Sequence, residues 1–182
     1  MNKIKILAIP GSLRKASLIR QLLLALQPLA PEDMEIAIFD LHGIPMYNQD
    51  VEDTVGYPPP VQELRDAIET SDGLILATPE YNGSITGVLK NSIDWASRKG
   101  LMAKRPVTPI TGTPGALGGT KAQVHLRSVM SHLGMCVLSR PALAVPYIDQ
   151  KIENGLITDE QTQKFITHWL KEFKEWILQL NK

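Results

Sequence analysis

Five short apolar runs alternate with stretches of helical periodicity, and that order constrains the fold more than any other feature of the chain. "IKILAIP", "MEIAIFD", "GLILATP", "RPVTPIT" and "VLSRPALAV" occupy residues 4–10, 34–40, 73–79, 105–111 and 137–145. Short runs rich in Ile, Leu and Val, without the alternation of a strand wetted on one face, are the pattern of strands buried on both faces. Pro109 lies inside the fourth run and weighs against it, because proline cannot donate to a sheet ladder. Between the runs, Ile19, Leu22, Leu23 and Leu26 follow helical spacing. So do Val61, Leu64 and Ile68, then Ile85, Val88, Leu89 and Ile93, then Ala122, Leu126, Val129, Met130 and Leu133. A last stripe runs from Phe165 and Ile166 through Trp169, Leu170 and Phe173 to Trp176 and Ile177. Pro58 to Pro60 suit the first turn of the second helix. Strand and helix in strict turn predict a parallel sheet covered on both faces.

The length of 182 residues suits a single domain over residues 1–182. The nearest thing to a linker is "NQDVEDTVGYPPP", residues 48–60, and no repeat or low-complexity tract interrupts the pattern. Lysine plus arginine balance aspartate plus glutamate at 19 each, so no general basic field draws the chain to nucleic acid or to an anionic membrane. Any anion must be held by a local site. No run approaches the roughly 18 consecutive apolar residues of a membrane helix, and the N-terminal run is too short for a signal peptide. A cytoplasmic protein is expected. Cys136 is the single cysteine, which excludes an internal disulfide and a CxxC pair, so redox chemistry would have to come from a cofactor. Cys136 itself reads as a small buried hydrophobe.

In sheets of this kind ligands bind beyond the carboxyl ends of the strands. Three loops belong there: "GSLRKAS" after the first run, "PEYNGSITG" after the third and "TGTPGALGG" after the fourth. In the first, Gly11 permits a sharp turn, the following helix presents unpaired N–H groups, Ser12 and Ser17 add hydroxyls, and Arg14 and Arg20 add cationic forks matched to phosphate. These features describe a phosphate cradle; they equally describe a helix cap at Ser17 beside two solvated arginines. Neither GxGxxG nor GxxxxGK[ST] occurs, so the dinucleotide fingerprint and the P-loop are excluded. A phosphate held without them on a five-stranded sheet points to the flavodoxin-like arrangement, a three-layer α/β sandwich with strand order 2-1-3-4-5. The four histidines, His42, His125, His132 and His168, are too scattered for a metal site, and no GxSxG is present.

"GSLRKASLIR" followed by "ATPEYNGSITGVLKNSIDWASR" strongly resembles the NADPH-dependent FMN reductase family, which includes bacterial chromate and quinone reductases and relatives of azoreductases. The likeness runs from the first strand to about residue 135. It implies FMN as cofactor, with Ser12, Arg14, Ser17 and Arg20 at its phosphate. Ile19 stands at a further phosphate position where the family usually has Asn, so an Ile19→Asn exchange is expected to tighten FMN binding. Thr86 stands where Pro is common, an exchange expected to matter little. The resemblance assigns Pro79, Glu80, Tyr81, Asn82 and Gly83 to the flavin ring, and these residue types suit it: an aromatic face, a strand stop and open backbone amides. The alternative is a surface turn with Ser84 capping the next helix. Thr113, Pro114, Gly115 and Gly118 are candidates for ring or ribityl contact, in a loop that could equally be merely mobile.

The implied activity is hydride transfer from NADPH or NADH through FMN to a quinone, flavin, azo compound or oxidised metal ion in a ping-pong cycle. No side chain is required as a catalytic group, since the flavin carries the chemistry. The resemblance also implies a homodimer or homotetramer. The competing reading is a non-catalytic flavin-binding protein or a flavodoxin-like electron carrier, and the neutral charge balance speaks against the acidic surface such carriers use.

Overall fold

The computed structural model describes residues 3–180. Strand β1 (Ile4–Pro10) leads through α1 (Leu18–Leu26) to β2 (Met34–Ile38). Helices α2 (Gln49–Val55) and α3 (Pro59–Glu69) precede β3 (Gly73–Thr78), and α4 (Gly87–Ala96) precedes β4 (Pro106–Thr113). Helix α5 (Thr120–His132) is followed by β5 (Cys136–Val137) and β6 (Leu143–Pro146). A short α6 (Ile148–Lys151), a small hairpin of β7 (Ile152–Glu153) and β8 (Leu156–Ile157), and the long α7 (Glu160–Leu180) complete the chain.

The main sheet has the order β2-β1-β3-β4-β5, all neighbours parallel, as the alternation of runs and the flavodoxin-like reading predict. Residues of β1 alternate between two cores. Ile6 and Ala8 face α1 and α7, where Leu22, Leu26, Trp169 and Phe173 are buried, while Leu7 and Ile9 face Leu64 of α3, Leu89 of α4 and Leu126 of α5. In the central strands both faces are covered, so β3 is buried at every position, whereas the edge strand β2 alternates, with Met34 and Ile36 buried and Glu35 and Ala37 exposed.

Two expectations are corrected. The fifth run is not one strand: β5 and β6 each pair with β4, at Pro106–Val107 and at Ile110–Thr113, and the chain leaves the sheet between them. Val107 turns its carbonyl to this side, accepting from Leu138 N at 2.9 Å, so the alternation of a parallel ladder turns Pro109 to the same side. Pro109 has no N–H to offer there, and the neighbouring strand breaks opposite it. Pro109 is thereby accommodated inside a central strand. The polar segment 48–60 is likewise not a linker, for residues 49–55 form α2, capped by Asn48, whose side chain accepts from Asp50 N. Glu52 of α2 ties the segment to the body by accepting from Arg98 Nε at 2.8 Å.

Candidate functional site

The carboxyl ends of β1, β3 and β4 are adjacent, and each releases the chain into a loop rich in Gly, Ser, Thr and Pro. After β1, Gly11 N donates to Ala77 O at 2.7 Å, so this loop starts in contact with the end of β3. A Cβ on Gly11 would lie 2.9 Å from Leu89 Cβ and 3.0 Å from Thr86 Oγ1, which leaves room for glycine only. Ser17 caps α1, its hydroxyl accepting from Arg20 N at 3.2 Å. The cap reading of Ser17 thus holds, and it leaves the N–H groups of Leu18 and Ile19 without an acceptor among the described residues. Ser12 is also buried, with Arg14 N donating to its Oγ at 3.4 Å, and Arg14 itself is exposed.

Two residues of this loop point elsewhere. Arg20 Nε donates to both carboxylate oxygens of Asp40, at 2.9 and 3.0 Å, just beyond the end of β2. That hydrogen bond raises the already high guanidinium pKa against an opposing effect of burial, so Arg20 is a permanent cation whose outer nitrogens have no acceptor among the described residues. Ile19 is 1% exposed and its side chain belongs to the core on the α1 face. What Ile19 contributes to the cleft lining is a first-turn N–H that has no acceptor among the described residues.

After β3, Tyr81 and Ser84 exchange two backbone hydrogen bonds of 3.0 Å, closing a two-residue turn in which Asn82 (φ 51°) and Gly83 (φ 73°) are both left-handed. Asn-Gly is the pair that such a turn favours. The cap of α4 is Thr86, not Ser84: its hydroxyl accepts from Leu89 N and donates to Gly11 O at 2.7 Å. Ser84 Oγ instead meets His125 Nδ1 of α5 at 2.9 Å. Glu80 also reaches α5, its Oε2 accepting from Lys121 N at 3.0 Å and Ala122 N at 3.1 Å.

After β4, Gly118 and Gly119 are buried and left-handed (φ 60° and 84°), the first wedged against the backbone of Ala144, Val145 and Pro146. Gly115 lies at the exposed tip, its carbonyl accepting from Tyr147 N at 3.3 Å.

One cleft of about 140 Å³ brings together Ser12, Arg14, Ser17 and Ile19 from the first loop, Pro79, Glu80 and Tyr81 from the second, and Thr113 and Pro114 from the third. A second hollow of about 440 Å³ adjoins it, sharing Ser12, Arg14 and Tyr81 and continuing to Thr86, Gly87 and Val88. Together they reach the size of small-molecule sites, roughly 300–1,000 Å³. Arg20, Asn82, Gly83, Gly115 and Gly118 do not line either. One end offers two free helix N–H groups, two buried hydroxyls and Arg14, a donor set for a doubly charged anion. The other is built from the half-exposed Tyr81 ring and Pro79, Thr113 and Pro114, surfaces against which a flat heterocycle can lie. Asp40, Thr86 and the Glu80 cap were not anticipated as part of the site. For Asp40 the sequence carried one signal, an acid at the carboxyl end of the second run, beside the loop it braces.

A family model described as NADPH-dependent FMN reductase matches residues 4–150. A 2-hydroxy-1,4-benzoquinone reductase of a Burkholderia species is 35% identical over 178 residues, 96% of either chain. An NAD(P)H-dependent FMN reductase of Pseudomonas aeruginosa is 37% identical over 98% of each. Among solved structures, a flavoenzyme NAD(P)H:(acceptor) oxidoreductase from Paracoccus denitrificans superposes with a TM-score of 0.88 at 35% identity, covering 96% of this chain and 97% of its own.

Proposed function

The chain belongs to the NADPH-dependent FMN reductase family, and from that premise we propose that it holds FMN in the cleft between its three loops and reduces quinones with NADPH or NADH as donor. It is an enzyme of the NAD(P)H-dependent FMN and quinone reductase class. The observation that carries the placement is the polarity of the cleft, whose anion-binding end and flat apolar end match the phosphate and the ring of one mononucleotide. The residues fit the group. Leu18 N, Ile19 N, Ser12, Ser17 and Arg14 would hold the phosphate, with Arg20, positioned by Asp40, adding charge behind them. Pro79, Tyr81, Thr113 and Pro114 would border the ring, and the Asn82-Gly83 turn would fix Tyr81 at its edge.

When bound, FMN supplies the two-electron chemistry, taking hydride from the nicotinamide and delivering electrons to the acceptor. The protein's part is to orient and to admit. Tyr81 is 48% exposed and the cleft is open, so donor and acceptor can use the same face in turn, and initial-rate lines are expected to run parallel when both are varied. Converging lines would overturn this ping-pong order. Free flavin, azo compounds and oxidised metal ions such as chromate belong to the proposed acceptor range for the same reason. Leu13, Tyr81, Leu117 and Tyr147, all large and exposed, follow the carboxyl ends of β1, β3, β4 and β6, and this supports a homodimer or homotetramer. A monomeric mass in sedimentation would refute that assembly.

The decisive experiment is an absorption spectrum of the protein with FMN, followed by anaerobic NADPH or NADH and then a benzoquinone. A flavin band that bleaches with the donor and returns with the quinone is expected. Flavin that binds but stays oxidised with both donors would make the chain an electron carrier, and failure to bind would remove FMN from the cleft.

A further inference from the structure

Helices α1 and α4 open onto the cleft, α5 begins a few residues after its third loop, and the three are capped in different ways. Ser17 caps α1 and Thr86 caps α4, each from its own N-cap position. The N-cap of α5 is Gly119, which has no side chain to offer. The N–H groups of the first turn would then lack partners, and Ala122, fully buried, has no water within reach. Glu80 fills that role from 41 residues away: its Oε2 accepts from both Lys121 N and Ala122 N. A carboxylate at a helix N-terminus is favoured by charge as well as by hydrogen bonding.

We propose that Glu80 is a positioning residue that caps α5 from the neighbouring loop and so fixes the two walls of the cleft relative to each other before any cofactor enters. The proposal rests on the reading of that cleft as the flavin site. The glycine-rich loop cannot retreat on its far side, because Gly118 already touches the backbone of β6. Gln123 Nε2 donates to Leu143 O at 2.8 Å and anchors α5 to the same strand, while His125 and Ser84 make a second link to the loop after β3. Glu80 closes this clamp at the end nearest the cleft. One oxygen of its carboxylate, Oε2, is therefore committed to backbone amides, which gives Glu80 a role in this loop that needs no contact with a ring.

Both hydrogen bonds go to one oxygen, so an amide oxygen at the same distance can make them and a carboxylate withdrawn by one methylene cannot. Glu80→Gln therefore preserves the clamp without the charge, and Glu80→Asp preserves the charge without the clamp. A role for the charge itself, acting directly on cofactor or substrate, predicts the opposite order.

The test uses the apoprotein of the full chain. Amide hydrogen exchange over residues 113–122 is followed in wild type, Glu80→Gln, Glu80→Asp and Glu80→Ala, and FMN affinity is titrated by quenching of free flavin fluorescence. In the Asp and Ala variants exchange over 113–122 should quicken about ten-fold and FMN binding weaken about ten-fold, with Gln within about three-fold of wild type. A urea midpoint separates local opening from global loss, and the Asp variant carries the test if the Ala variant does not fold. Exchange unchanged in Asp and Ala, or Gln as impaired as Asp, would overturn the proposal. Absence of FMN binding in wild type would instead sink the flavin reading, while the exchange data would still decide the clamp.

Discussion

Thr86 donates its hydroxyl hydrogen to the carbonyl oxygen of Gly11 across 2.7 Å, joining two loops 75 residues apart in sequence. Thr86 Oγ1 also accepts from Leu89 N, so one buried hydroxyl both caps α4 and holds the turn that opens the first loop. Likeness to relatives with Pro at this position predicts little effect of exchange; the hydrogen bonds predict a real one. Thr86→Val keeps the shape and leaves Gly11 O and Leu89 N unpaired in a dry environment. Stability should fall by about 1–3 kcal/mol, read as a lower urea midpoint, with weaker FMN binding. An unchanged midpoint would show that this bond contributes nothing.

The glycines of the third loop should separate sharply on substitution. A Cβ on Gly118 would lie 2.9 Å from Pro146 N and 3.0 Å from the carbonyl carbons of Ala144 and Val145, at a φ of 60°. Gly118→Ala is expected to cost about 2–3 kcal/mol and to weaken FMN binding, because β6 would have to move. On Gly115 the nearest atom to a Cβ is Thr113 Oγ1 at 3.8 Å, and Gly115→Ala should stay within about 0.5 kcal/mol of wild type. Equal midpoints for the two variants would contradict the packing described for β6.

Ile19→Asn reverses the expectation drawn from sequence. Asn at this position is the family's usual residue and was expected to tighten FMN binding, yet here the side chain is 1% exposed among Ile6, Leu22, Leu23 and Ile110. An amide in that cluster loses apolar burial and its own hydration together. Stability should drop by about 2–4 kcal/mol with no gain in FMN affinity. A lower dissociation constant with an undiminished midpoint would restore the original expectation.

What could be read from sequence was what packing makes local. The runs were legible because central strands buried on both faces, such as β3, must be apolar throughout and the edge strand β2 still buries one face, and the three loops because turn residues and hydroxyls gather where strands end. The break between β5 and β6 was not legible, since it depends on which side of β4 Pro109 faces. Helix α2 was missed because it is polar and partly exposed, with no buried residue, and is held by Arg98, 46 residues beyond Glu52. Within the site, residue types were readable and side-chain directions were not. Arg20 turns to Asp40, Ile19 to the core and Glu80 to α5, each for a partner that only the fold brings near. The Asn-Gly pair did carry a readable signal, the two-residue left-handed turn that now joins Tyr81 to Ser84.

Helix α7 provides the pH dependence. Asp159, the residue before it, accepts from the Thr162 hydroxyl and from Thr162 N at 2.8 Å, and these bonds hold its carboxyl below the usual carboxylate range. Asp33 is lowered in the same direction by its hydrogen bond to Lys174 of the same helix at 2.6 Å. A carboxyl whose folded pKa lies below its unfolded value, about 4, contributes stability that is complete above that value and disappears as the pH falls through the folded pKa. Asp159→Asn keeps a capping oxygen but cannot titrate. Urea midpoints of wild type and variant should therefore run parallel from pH 8 to pH 5, and below about pH 4 wild type should decline more steeply. Parallel curves down to pH 2.5 would mean that the Asp159 cap contributes nothing to acid sensitivity, leaving Asp33 and Lys174 as the contact to test next.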